Sequence, residues 1–114
     1  MEEKEFFYIG HYIDRAGRYI LKIGTTDNLD RRRKEHNRNY AKATSENGFA
    51  DGQEFIYDWY IPLSKYNTLR VEDRTRESFI FCGFGEFIRN DRFAFAEKPS
   101  RVFIGVKKVY EILL

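Results

Sequence analysis

From Glu5 to Asp14 large apolar and aromatic side chains follow one another on a two-residue period. Phe6, Tyr8, Gly10 and Tyr12 fall on one side, and Phe7, Ile9, His11 and Ile13 on the other. Tyr19 to Gly24 repeats that character after Asp14-Arg15-Ala16-Gly17-Arg18, whose Asp and Gly suit a tight turn, so the two segments predict a β-hairpin. Thr26, Asp27 and Asn28 then offer N-caps to a helix running from Leu29 to about Thr44. That helix carries Leu29 and Tyr40 as its only large apolar residues, so most of its surface must meet water or a charged ligand.

Ser45 to Gln53 reads as a loop, and Phe55, Tyr57, Trp59 and Ile61 alternate along a third strand from Glu54 to Leu63 that ends at Pro62. Ser64 caps a second helix reaching about Cys82, with Val71, Thr75, Ser78 and Cys82 as the stripe that lies against the sheet and Gly83-Phe84-Gly85 as its stop. Arg92 to Phe95 predicts a short extended piece. Beyond Pro99, Val102, Val106, Val109 and Leu113 recur at helical spacing and predict a C-terminal helix, with a strand over Val102 to Val106 as the alternative. The expectation is one α+β domain over residues 1–114, a three-stranded antiparallel sheet flanked by helices.

Aromatics make up 18% of the 114 residues, enough large side chains to close a core and to argue against disorder. The net charge of +2 decides little, but its distribution does: Arg15, Arg18, Lys22, Arg31, Arg32, Arg33, Lys34 and Arg38 crowd one stretch, and acids gather around Glu72, Asp73 and Glu77. Cys82 is alone, which excludes an intrachain disulfide or a cysteine-built zinc site and points to a reducing, intracellular compartment. The acidic start Met1-Glu2-Glu3-Lys4 and the absence of a long apolar run predict neither signal peptide nor membrane anchor.

The most informative stretch is Lys22-Ile23-Gly24-Thr25-Thr26-Asp27-Asn28-Leu29-Asp30-Arg31-Arg32, preceded on the hairpin by Gly10-His11-Tyr12 and followed by His36. It resembles the GIY-YIG nuclease superfamily, in the branch common in bacteriophages and large DNA viruses whose second motif reads Lys-Ile-Gly. The resemblance implies a DNA endonuclease using Mg²⁺ or Mn²⁺. It matches the first motif to Gly10-His11-Tyr12, the second to Lys22-Ile23-Gly24, the helical Arg and His to Arg32 and His36, and the metal-binding Glu to Glu77. Tyr8 shares the strand face of Tyr12, and another hairpin length puts Tyr8 in the key position.

The residues present suit that chemistry. Phosphodiester hydrolysis needs a group to activate water, a cation on the non-bridging oxygens and a metal near the leaving oxygen. Arg32 offers a planar fork to phosphate and shares a helix face with His36 four residues on. Glu77 offers a hard oxygen to Mg²⁺, which takes only one or two protein carboxylates. Tyr12 serves as base only if neighbouring Arg32 or Lys22 depresses its phenol. Arg31, Arg33 and Arg38 are expected to contact phosphates, with specificity coming from a homodimer or a partner protein.

Plainer readings stand beside these. Arg31-Arg32-Arg33-Lys34 is a solvated helix face, His36 packs or caps, Tyr8 and Tyr12 are sheet aromatics, and Glu77 pairs with Arg74 or Arg76, with Glu72 and Asp73 as its rivals for the metal. Cys82 is a buried small hydrophobe, and Asp91-Arg92-Phe93 locks the C-terminal segment. Two further functions remain open: a catalytically silent nucleic-acid-binding relative using the same basic face, and a protein-interaction module built on Phe84, Phe87, Phe93 and Phe95.

Overall fold

The computed structural model describes residues 4–42 and 48–96, excluding the side chains of residues 4, 65 and 66. Strands β1 (Lys4–Ile13) and β2 (Tyr19–Thr26) form the predicted hairpin, followed by helix α1 (Leu29–Lys42), strand β3 (Ile56–Ser64), helix α2 (Lys65–Cys82) and two short strands, β4 (Glu86–Phe87) and β5 (Arg92–Phe95). The α+β architecture is as expected. The sheet has five strands rather than three, in the order β3-β1-β2-β5-β4 with antiparallel neighbours. The predicted C-terminal helix beyond Pro99 lies outside the described residues.

The hairpin closes as its turn residues dictate. Asp14 is fully buried, its carboxylate accepts from the Arg18 amide at 2.8 Å, and Gly17 supplies the left-handed φ of 80°. Along β1 the alternation sorts two cores. Phe7 and Ile9 join Leu21, Ile23 and Phe93 beneath Val71 and Phe79 of α2, while Tyr8 and Tyr12 join Ile20, Phe55 and Ala94 on the opposite face. Leu29 and Tyr40 of α1 pack against that second core. The sheet is therefore covered by one helix on each face, which explains why β1 and β2 are apolar on both sides.

The α2 stripe is Thr68, Val71, Thr75 and Phe79, all buried, whereas Cys82 is exposed. The expected burial of Cys82 fails because the helix leaves the sheet after Phe79. Ser64 caps the start by accepting from the Asn67 amide, and Gly83 ends the helix at φ 68°. The Phe84 amide then bonds back to the Phe79 carbonyl at 2.9 Å while the two rings meet at 5.5 Å, a Schellman closure with its hydrophobic contact. Phe84, Phe93 and Phe95 thus belong to the core; of the four aromatics expected to form an interface, only Phe87 is a largely exposed ring. Among the described residues no helix is long and apolar enough to cross a membrane.

Candidate functional site on the first-helix face

The register places the candidate residues in two adjacent rows. Tyr60, Tyr8 and Gly24 are cross-strand neighbours on β3, β1 and β2, and the next row holds Tyr57, Gly10, Lys22 and Arg92. Both glycines are demanded by packing. A β-carbon on Gly24 would stand 2.5 Å from the Tyr8 hydroxyl, and one on Gly10 would stand 2.3 Å from the Phe55 ring and 2.6 Å from the Ile56 carbonyl. The Gly of Lys-Ile-Gly is therefore the floor on which the Tyr8 phenol lies.

Helix α1 delivers the other half of the site. Asn28 caps it by accepting from the Arg31 amide at 3.0 Å, and Thr26 holds Asn28 through a reciprocal pair at 3.1 and 3.2 Å. Tyr57 donates to the Leu29 carbonyl at 2.7 Å, and Asn37 accepts from the Phe55 amide at 2.7 Å, so the polar helix is tied to β3 at two levels. This fixes Arg32 and His36 over Tyr8.

His36 is buried, with its Nε2 2.8 Å from the Tyr8 hydroxyl and its ring stacked on Tyr40 at 5.3 Å. Burial first, and then the charges of Arg32, Lys22 and Arg92, push it down to about 3. It is neutral at neutral pH and serves as a hydrogen-bond acceptor for the Tyr8 hydroxyl. Burial drives the Tyr8 phenol far above its ordinary range, with the Arg32 guanidinium beside it pulling the other way. Arg32 donates to Glu35 at 2.8 Å, while its buried Nε has no hydrogen-bond partner among the described residues.

Tyr12 does not share this neighbourhood. Four residues further along β1, it accepts from Arg92 at 3.0 Å, stacks on Tyr40 at 4.7 Å and is fully buried. Its phenol too is raised, by burial ahead of the opposing Arg92, so the depression that a base at Tyr12 requires is absent. Of the two tyrosines that the sequence left open, Tyr8 is the one against Arg32 and His36.

Lys22 is buried on the same face and donates to the Asn90 carbonyl. Desolvation lowers its ammonium to about 8, against the pull of Asp91 and Glu72. Glu72 comes from α2, and Asp91 stands immediately before β5. Asn90 and Asp91 both adopt left-handed φ, 54° and 55°, a turn that lets the Asp91 carbonyl accept from the Ile23 amide at 3.1 Å where β2 has lost its β5 partner. Burial, and then a hydrogen bond shared with Asp91, hold the Glu72 carboxyl well above the usual carboxylate range, and Thr25 also reaches it. Arg76 donates to both Asp91 oxygens, at 3.2 and 3.3 Å.

Glu77 is not brought to this group. It is largely exposed and faces Arg74 at 3.7 Å. The helix explains why: Glu72 borders the buried stripe between Thr68 and Thr75, whereas Glu77 stands about 200° around the axis from Thr75. Arg31 and Arg38 are exposed and Arg33 half-buried; Arg31 pairs with Asp27 and with Glu35 at 3.4 Å, and Arg33 acts on the Tyr57 phenol. Sequence reasoning kept Glu72 only as a rival and gave Asp91 and Arg92 a locking role. The first was legible from the helical stripe; the others depend on a turn that joins them to β2.

The T5orf172 domain family matches residues 5–80, well over half of the chain, and the chain belongs to that family. The matched span contains Tyr8, Lys22, Gly24, Arg32, His36 and Glu72 and ends before Asp91 and Arg92. Comparison with curated proteins and with solved structures gave no match.

Proposed function

We propose that this T5orf172-domain chain is a divalent-metal-dependent DNA endonuclease of the GIY-YIG type, acting inside the cell. The observation that carries the reading is the buried Arg32 Nε, a donor with no acceptor among the described residues, beside the Tyr8 hydroxyl and its His36 partner. A phosphate oxygen completes that arrangement, and guanidinium matches its geometry better than any other side chain. Membership of a family named for a phage reading frame agrees with a phage or viral setting for such an enzyme.

Glu72 and Asp91 are the carboxylates that would hold Mg²⁺ or Mn²⁺. The donor set fits, because two hard-oxygen groups near enough to share a hydrogen bond gain most from a divalent cation between them. When bound, the metal supplies Lewis-acid stabilisation of charge on the phosphate and leaving oxygen. The chain's own residues do the rest. Arg32 clamps a non-bridging oxygen. Tyr8, too strongly raised to rest as phenolate, orients the attacking water and passes its proton toward His36. Lys22, with an ammonium near neutrality, protonates the departing oxygen. Arg31, Arg33 and Arg38 follow the flanking backbone. A domain with so little remaining surface takes its sequence specificity from dimerisation or a partner.

One observation favours a second reading. Both candidate phenols, Tyr8 and Tyr12, are pushed away from ionisation, which suits a catalytically silent nucleic-acid-binding relative. Supercoiled plasmid incubated with Mg²⁺, Mn²⁺ or EDTA separates the two: metal-dependent nicking supports the nuclease, and salt-sensitive binding without nicking supports the silent module.

A further inference from the structure

The hairpin's edge neighbour, β3, carries an aromatic group that neither core absorbs. Tyr60 is 53% exposed, although it is the direct cross-strand partner of the fully buried Tyr8 and lies on the same sheet face. Phe6 meets its ring edge-on at 6.0 Å and Tyr57 at 6.5 Å, so the ring is braced by two neighbours. Among the described residues β3 is the outer strand of the sheet, with no further strand on the Tyr60 side. Arg32 and Arg33 act on the adjoining Tyr57 phenol ahead of the opposing Asp30 and Glu35.

The geometry points to Tyr60 as a stacking platform for one unpaired nucleobase next to the phosphate held by Arg32, so that the preferred substrate is DNA with single-stranded character. This rests on the nuclease reading above. A braced, exposed aromatic ring beside arginines is what a single strand binds, the ring taking a base face and the cations its backbone. A base inside a duplex has both faces covered by its neighbours and cannot stack on Tyr60. Neighbouring strands lie about 4.8 Å apart. A base on Tyr60 is therefore one strand spacing from Tyr8, close enough to flank the reacting phosphate.

The test is binding measured by fluorescence anisotropy in EDTA, where no cleavage occurs, using a labelled single strand and the blunt duplex of the same sequence. The native chain is expected to prefer the single strand. Tyr60→Ala should lose about tenfold in single-strand affinity, the weight of one base–aromatic stack, with duplex affinity and melting temperature unchanged, and Tyr60→Phe should bind as the native chain does. Equal native affinity for the two DNAs, or an unaltered preference in Tyr60→Ala, overturns the platform while leaving nuclease activity to its own assay. A native chain that binds neither DNA overturns the platform and the nucleic-acid reading together.

Discussion

The Tyr8 hydroxyl lies 2.8 Å from His36 Nε2, across 28 residues of sequence, inside a pocket roofed by α1 and floored by Gly24. That pairing divides the two strand tyrosines by role. If the Tyr8 hydroxyl orients the attacking water, Tyr8→Phe should lower the nicking rate by about 10²- to 10⁴-fold, the weight of a general acid–base group, with little change in substrate binding. Tyr12→Phe removes an acceptor from Arg92 instead and should cost stability, about 1–2 kcal/mol in a denaturant melt, while nicking by the folded fraction persists. The reverse pattern in the two variants would return the catalytic role to Tyr12.

As the proposed proton donor, Lys22 predicts an upper limit on the working pH. Its ammonium, lowered to about 8 chiefly by burial, is charged below that value and loses its proton above it. If it protonates the leaving oxygen, the nicking rate falls as pH rises through about 8. In Lys22→Arg the charge persists, so the falling limb should disappear even where the overall rate is lower. A falling limb of unchanged position in Lys22→Arg assigns it to another group.

His36 links the site to acid stability. Its folded value of about 3 is below the ordinary 6.5, so between the two the unfolded chain binds the extra proton. The stability is fully present above about pH 6.5 and is lost as pH falls toward 3. Glu72 works in the opposite sense, since its raised carboxyl keeps a proton that the unfolded chain releases as pH rises above the ordinary carboxylate range. Comparison with His36→Asn isolates the histidine. Between pH 7 and 5 the native chain should lose about 2 kcal/mol relative to the variant in urea melts. A constant difference across that range means that His36 takes up its proton equally in the folded and unfolded chain.

Much of this was written in the sequence. The alternation of β1, the Asp14 to Arg18 turn and the caps at Asn28 and Ser64 are local signals, and each has a local partner in the structure. The convergence of Lys22, Arg32 and His36 follows from a strand ending one turn before a helix on the same face. What escaped depends on distant contacts. β4 has two residues, too few to show a period, and although Arg92 to Phe95 read as extended, their pairing with β2 and with β4 has no local signal. The choice between Tyr8 and Tyr12 turns on where α1 crosses the hairpin. Asp91 reaches Glu72 only because two consecutive residues turn left-handed beside the open edge of β2.

The most direct test compares Arg32→Ala, Glu72→Ala and Glu77→Ala with the native chain in nicking supercoiled plasmid under Mg²⁺ and Mn²⁺, at matched purity and with folding checked by thermal melts. Metal-dependent nicking by the native chain and by Glu77→Ala, abolished in Arg32→Ala and Glu72→Ala, is the predicted result. Loss in Glu77→Ala with activity kept in Glu72→Ala contradicts the metal site at the β2 edge, and an inert native chain contradicts the nuclease itself.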